Sequence, residues 1–195
     1  MIHDDIEQGS KAWTEIRKGR ITGTRLKEVM GRSSSKLIYE MIAEKYEEKE
    51  DYQSSEMSDG VLKEPWAIDK YEEVTGQKVT TVGFITRGEN LGLSPDGLVG
   101  KKKAIEVKCP SLQKHVEYIV KDKIPSEYKW QVVHYFVVID DLEFLDFITY
   151  HPKFTLREIH VVTVSRAEFE KEIMEAKEKI AQFLEKYNQT LAKLL

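Results

Sequence analysis

A single cysteine, Cys109, is all the thiol that 195 residues contain. One thiol can neither close an intramolecular disulfide nor anchor an iron–sulfur cluster or a multi-thiolate zinc site, and a reducing cytoplasm fits that usage. A surplus of positive charge is also missing, since 30 Lys and Arg face 34 Asp and Glu for a formal net charge of -4. A protein that coats nucleic acid non-specifically carries a basic excess, because its affinity comes from neutralising phosphates; any nucleic-acid binding here has to be local. No apolar run approaches the roughly 20 residues needed to span a bilayer, and residues 1–10 are polar and acidic without a signal-peptide core, so no membrane association is expected. The five histidines (His3, His115, His134, His151, His160) show no HExxH or Cys/His spacing. That argues against a histidine-based metal site and leaves them as scattered surface or core positions.

What is present suffices for one core. A 41% hydrophobic content over 195 residues fits a single domain spanning 1–195. Residues 12–18 read as a short helix, and Thr24 as the N-cap of a second over 25–30 that Gly31 stops. Leu37, Met41, Ile42 and Tyr46 recur at helical spacing and predict an amphipathic helix over 36–49, followed by an acidic loop or helix end over 47–59. A further helix starts near Gly60 or Glu64 and stops at Thr75-Gly76, with Pro65 in its first turn or kinking it. From Lys78 the pattern changes to short β pieces, 79–86, 91–94, 97–99 and 104–108, a meander punctuated by turn residues. Ser111 caps a helix to about Val120, and 126–138 forms another with Trp130, Val133, His134 and Val137 on one side; 144–150 and 158–164 read as strands. Phe169, Ile173, Ile180, Phe183, Leu184, Tyr187, Leu191 and Leu194, at steps of three, four or seven, predict one long helix packed on the sheet or on a partner. The expected fold is α/β, a central mixed β-sheet flanked by α-helices.

Chemistry concentrates between Pro95 and Lys108. Asp96 sits at the tip of a turn and Glu106 in the next strand, so a hairpin can bring both carboxylates to one end of a sheet, where a single divalent cation can bridge them. Strand alternation puts Glu106 and Lys108 on one face and the apolar Ile105 and Val107 on the other. A carboxylate beside a lysine suits a metal ligand next to a group that orients the attacking water, or deprotonates it provided the site lowers the lysine pKa; the Val107 carbonyl adds a further oxygen. Phosphodiester hydrolysis needs such a cation to generate hydroxide and absorb charge, and Mg²⁺ takes oxygen ligands. Singly, each feature has an ordinary reading: Pro-Asp-Gly as a turn, Glu-x-Lys as a solvated ion pair. Lys101-Lys102-Lys103 on a hairpin loop is either a DNA-backbone contact or a solvated tip, and Trp13, Trp66 and Trp130 are expected in the core.

The combination of Asp96 with Glu106-Val107-Lys108, and a carboxylate on a preceding helix, is the PD-(D/E)XK nuclease arrangement. The run through Trp13, Arg17, Gly19, Ile21-Thr22 and Thr24, then Gly60 and Glu64, Leu93 to Leu98, Ile105 to Pro110, and Tyr128 to Tyr135 around Gln131 resembles the phage lambda exonuclease and YqaJ-type viral recombinase family. The likeness covers most of the chain, from Trp13 to about Tyr150. It implies a restriction-endonuclease-like core in which Asp96, Glu106, the Val107 carbonyl and Glu64 hold the metal. Lys108 would position or activate the water, and Gln131 would contact the reaction centre from a helix. It further implies a 5′-phosphate pocket of Arg17, Thr24 and Ser94, where Thr24 keeps the hydroxyl of the lambda protein's serine; an arginine fork and neutral hydroxyls suit a phosphate. Without the likeness, Glu64 and Gln131 are exposed helix residues, Arg17 a helix cation, Thr24 an N-cap, and Tyr128 a core residue. One departure is Pro65, directly after Glu64.

By this resemblance the expected activity is Mg²⁺-dependent 5′-to-3′ digestion of one strand of linear double-stranded DNA to mononucleotides, leaving 3′ single-strand tails for phage-type recombination in a bacterial host. Two metals are expected, Mn²⁺ being a possible substitute. A ring-shaped homotrimer and a single-strand annealing partner come with the family. The alternatives are a PD-(D/E)XK endonuclease and a non-catalytic DNA-binding recombination scaffold.

Overall fold

The computed structural model describes residues 1–31, 34–47 and 55–195. Their order is β1 (Ile2–His3), α1 (Lys11–Arg17), α2 (Gly23–Val29), α3 (Ser35–Ala43), α4 (Ser55–Thr75), β2 (Phe84–Arg87), β3 (Leu91–Leu93), β4 (Gly97–Val99), β5 (Lys103–Lys108), α5 (Leu112–Lys121), α6 (Lys129–Val138), β6 (Phe144–Tyr150), β7 (Ile159–Ser165) and α7 (Glu170–Ala192). Short 3-10 turns at Ser126–Tyr128 and Arg166–Phe169 lead into α6 and α7.

The mixed sheet runs β4-β5-β6-β7. Its parallel pair, β5 with β6, sets Glu106 opposite Phe147 and Lys108 opposite Thr149; the two outer pairings are antiparallel. A parallel pair needs a long crossover, which α5 and α6 supply. Alternation then sorts the side chains. Ala104, Leu145, Phe147 and Val164 join the larger core with α2, α3, α6 and α7, while Ile105, Val107, Ile148 and Tyr150 meet Ala67 and Tyr71 of α4 on the other face. Glu106 and Lys108 therefore look toward α6, and Asp146 toward α4.

The mixed sheet flanked by helices is as expected, and the differences have local causes. The β pieces from 79 to 108 divide between two sheets: β1, β2 and β3 form a separate antiparallel sheet, and Thr80 contributes only a single bridge to Leu98. Thr24 lies inside α2; the N-cap position belongs to Thr22, which makes no side-chain cap bond. Helix α3 ends at Ala43. Of the loop read over 47–59, residues 48–54 lie outside the described residues, and α4 already begins at Ser55, which leaves Pro65 in the helix interior. The stretch 126–138 splits into a 3-10 turn and α6, and α6 is buried from Val132 to Val138, so it is a central helix rather than one with a single apolar side. Helix α7 packs mainly on α6, α2 and α3. Trp130 packs against the core, whereas Trp66 is 57% exposed. Lys102 pairs with Glu143 and Lys103 with the buried Asp146, which ties two of the three hairpin lysines to protein carboxylates. His115, His134 and His160 are buried. Among the described residues no helix is long and apolar enough to cross a membrane.

Candidate active site

The β4–β5 hairpin sets the centre of the site. Gly97 pairs with Ile105, so Asp96, one residue earlier, lies where β5 has outrun its neighbour. Its Oδ2 accepts the Val107 N–H at 2.6 Å. Gly97 is required at this crossing: an added Cβ would stand 2.2 Å from Val79 Cγ1 and 3.2 Å from the Ile105 side chain.

Glu106 is 1% exposed and held on both oxygens. Gln131 Nε2 donates to Oε1 at 2.5 Å, and the Tyr135 hydroxyl donates to Oε2 at 2.6 Å. Lys108 forms an ion pair with the same carboxylate and lies 5.3 Å from the centre of the Tyr128 ring. Sequence reasoning missed Tyr135 as a site residue. The available signal was its position one helical turn after Gln131 on α6, which puts both over one strand residue.

Glu64 approaches from α4. It lines a cavity of about 670 Å³ together with Asp96, Trp13, Pro65 and the segment 4–9. Gln8 fixes that segment by donating to the carbonyls of Val82 and Pro95, immediately before Asp96. Burial, then the charges of Glu106 and Glu64, push the Asp96 carboxyl well above its ordinary range. Burial and Glu106 raise Glu64 as well, against the pull of Lys108. Burial works to lower Lys108, but Glu106 and Asp96 outweigh it and hold the ammonium above its ordinary value. The site thus raises the lysine rather than lowering it, the reverse of what Lys108 would need to serve as a base.

The donor set suits a hard cation: three carboxylates in mutual repulsion and a backbone carbonyl, with no soft ligand required. A divalent charge would relieve the strain that raises Asp96 and Glu64. Among the described residues, however, no three acid, histidine or cysteine side chains are already arranged around a common point, because Glu106 is closed onto Gln131, Tyr135 and Lys108.

A second cluster adjoins the first. Arg17 Nη1 and Trp13 Nε1 both donate to Ser94 Oγ, at 2.9 and 2.8 Å, and the Arg17 guanidinium lies 4.0 Å from the Trp13 ring centre. Trp13 thus belongs to the site rather than to the core, and its place four residues before Arg17 on α1 was the legible signal. Thr24 is not drawn in: it is exposed in the first turn of α2, with no hydrogen bond to Arg17 or Ser94 among the described residues. Gly23 beside it lets α2 approach Gln131, whose Cγ would lie 3.1 Å from an added Cβ.

Residues 12–141 match the YqaJ-like viral recombinase domain. No curated protein sequence matches the chain. Among solved structures, the alkaline exonuclease LHK-Exo from Laribacter hongkongensis is similar at 27% identity, covering 95% of this chain and 96% of that one with a TM-score of 0.86. LHK-Exo in complex with dAMP is similar at 27% identity over the same shares, with a TM-score of 0.85. A phage-related exonuclease from Haemophilus somnus 129PT, 16% identical over 90% of this chain and 96% of its own, has a TM-score of 0.67 and bears on the fold alone. The α/β fold is restriction-endonuclease-like, as in the alkaline exonuclease. With two thirds of its length matched and Asp96, Glu106 and Lys108 meeting inside the matched span, the chain belongs to the YqaJ-like viral recombinase family.

Proposed function

We propose that this protein is a Mg²⁺-dependent 5′-to-3′ exonuclease that degrades one strand of linear double-stranded DNA to mononucleotides and leaves a 3′ single-strand tail for recombination. The observation that carries the reading is the convergence of Glu64, Asp96, Glu106 and Lys108 at one end of β5, in a chain that overlays an alkaline exonuclease over 95% of its length. The dAMP complex of that enzyme supports a mononucleotide product here.

Asp96, Glu106, Glu64 and the Val107 carbonyl would hold the metals, two Mg²⁺ with Mn²⁺ as a substitute, after Glu106 gives up its ion pair with Lys108. Bound there, Mg²⁺ supplies a water of lowered pKa and stabilises charge on the scissile phosphate. Gln131 and Tyr135 keep Glu106 oriented. Lys108, a persistent ammonium, aligns the nucleophilic water and the phosphate. Arg17 and Ser94, steadied by Trp13, would receive the 5′-phosphate, and Thr24 would join them from α2 once DNA is seated. Residues 1–195 act as one nuclease unit, assembled as a ring-shaped homotrimer and working with a single-strand annealing protein.

The test is digestion of linear duplex DNA carrying either 5′-phosphate or 5′-hydroxyl ends, beside closed circular DNA, with Mg²⁺ and with EDTA. Mononucleotides released from 5′-phosphorylated linear DNA only with Mg²⁺, the circle staying intact, are expected. Cutting of the circle would make it an endonuclease, and no digestion with any divalent metal would leave a binding scaffold. Arg17→Ala is expected to abolish the preference for 5′-phosphorylated ends; an unchanged rate ratio between the two end types would remove Arg17 from that role.

A further inference from the structure

The acidic side chains of the site are not held alike. Glu106 is fixed by Gln131, Tyr135 and Lys108, and Asp96 by the Val107 N–H. Glu64 makes no hydrogen bond or ion pair among the described residues and feels Glu106 and Lys108 only through space. Its position is therefore set by the seating of α4. Pro65 follows directly and provides no N–H for the carbonyl of residue 61, so the turn that carries Glu64 lacks one backbone bond.

What seats α4 lies on the same stripe. Glu64, Ala67 and Tyr71 are spaced i, i+3, i+7, one face of a helix about two turns long. Ala67 and Tyr71 are both fully buried against the β5–β6 face. The Tyr71 hydroxyl donates to Asp146 Oδ2 at 2.5 Å. Asp146, 1% exposed in the middle of the sheet, also accepts Thr163 Oγ1 at 2.6 Å and Lys103 Nζ at 3.0 Å. A carboxylate in an otherwise apolar layer is costly unless fully partnered, and three donors from α4, β5 and β7 converge on it. Of these three bonds, that of Tyr71 joins the helix to the sheet, while those of Lys103 and Thr163 bind the strands to one another.

We infer that Tyr71, through its hydroxyl bond to Asp146, is a positioning residue that fixes the register of α4 on the sheet and so places Glu64 over Asp96 and Glu106. The inference rests on the metal-site reading of Glu64 given above. The phenol has no part in the reaction; it acts only through the helix.

The test measures Mn²⁺ binding to the full chain without DNA, by loss of the free-ion electron paramagnetic resonance signal, with melting scans to confirm that each variant is folded. Tyr71→Phe keeps the ring and removes the bond. It is expected to weaken Mn²⁺ binding about tenfold, the lower end of what a supporting partner contributes to a metal site. In a Glu64→Gln background the same substitution is expected to change binding by less than twofold, because its route runs through Glu64. Thr163→Val removes a bond from the same carboxylate without touching α4, and is expected to lower the melting temperature while leaving binding within twofold. Wild-type binding by Tyr71→Phe, equal weakening in the Glu64→Gln background, or equal weakening by Thr163→Val would each overturn the inference alone. Absence of Mn²⁺ binding by the wild type would overturn the metal-site reading and this inference with it.

Discussion

Burial acts to lower Lys108, and the carboxylates of Glu106 and Asp96 outweigh it. An ammonium held above its ordinary range is a poor base near neutrality, which favours the proposed role of aligning the water and the phosphate. Lys108→Ala is expected to slow digestion by about a hundredfold or more, the effect of losing a preorganised donor at a reaction centre, with duplex binding retained. Equal digestion by variant and wild type would remove Lys108 from the reaction. The pH profile should show no fall from loss of this proton up to about pH 10, the ordinary lysine range. Tyr135 makes a complementary case. Tyr135→Phe leaves Glu106 Oε2, now buried, without its hydroxyl donor, and urea denaturation is expected to show a loss of about 1–3 kcal/mol. A change below a few tenths of a kcal/mol would mean that the hydroxyl is dispensable.

The elements that sequence pattern made legible are those whose period is visible: β4, β5, β6, α5 and α7 lie close to where alternation or helical spacing put them. Less legible were features decided by tertiary contact. Two-residue β1 exists because Ile2 and His3 find Ile85 and Phe84, a pairing no local pattern encodes. Helix α6 is enclosed on all sides, which blurs the one-sided stripe that periodicity seeks. Of the site, Asp96, Glu106, Lys108 and Gln131 were read from spacing and resemblance, while Tyr135 and Trp13 were passed over despite their helical spacing from Gln131 and Arg17, because a tyrosine or tryptophan on an apolar face is ordinarily core. Gly97 shows how tightly one element constrains the next. Gly97→Ala would drive its Cβ into Val79 and Ile105, and overpacking of this kind costs about 1–3 kcal/mol. Loss of stability with slowed digestion is expected, since Asp96 is the adjacent residue. Val79→Ala in the same chain removes the closer obstacle, and partial recovery of the melting temperature would confirm the clash as the cause. No recovery would place the cause elsewhere.

Across the whole molecule, acid and imidazole groups pull stability in opposite directions with pH. The net charge of -4 provides no general basic excess for phosphates, while the interior keeps several imidazoles neutral. Burial pushes His134 down to about 4 despite its bond to the Gly92 carbonyl at 2.8 Å, and burial also lowers His115 and His160. For a histidine lowered on folding, the unfolded chain binds the proton first. Stability is therefore intact above the unfolded value of about 6.5, falls as pH drops toward 4, and is not lost further below it. One such group changes stability by about 1.4 kcal/mol per pH unit, on the order of 3 kcal/mol across that window for His134. Asp96 and Glu64, raised on folding, act oppositely because the folded chain takes up their protons first, so the raw profile mixes the two signs. Comparison with His134→Gln, whose amide can still donate to Gly92, isolates the imidazole. Urea denaturation at pH 7, 6, 5 and 4.5 is expected to give a variant less stable at pH 7 but with a slope shallower by nearly one proton between pH 6 and 4.5. Parallel profiles would mean that His134 takes up its proton equally in both states, and that acid sensitivity arises elsewhere in the fold.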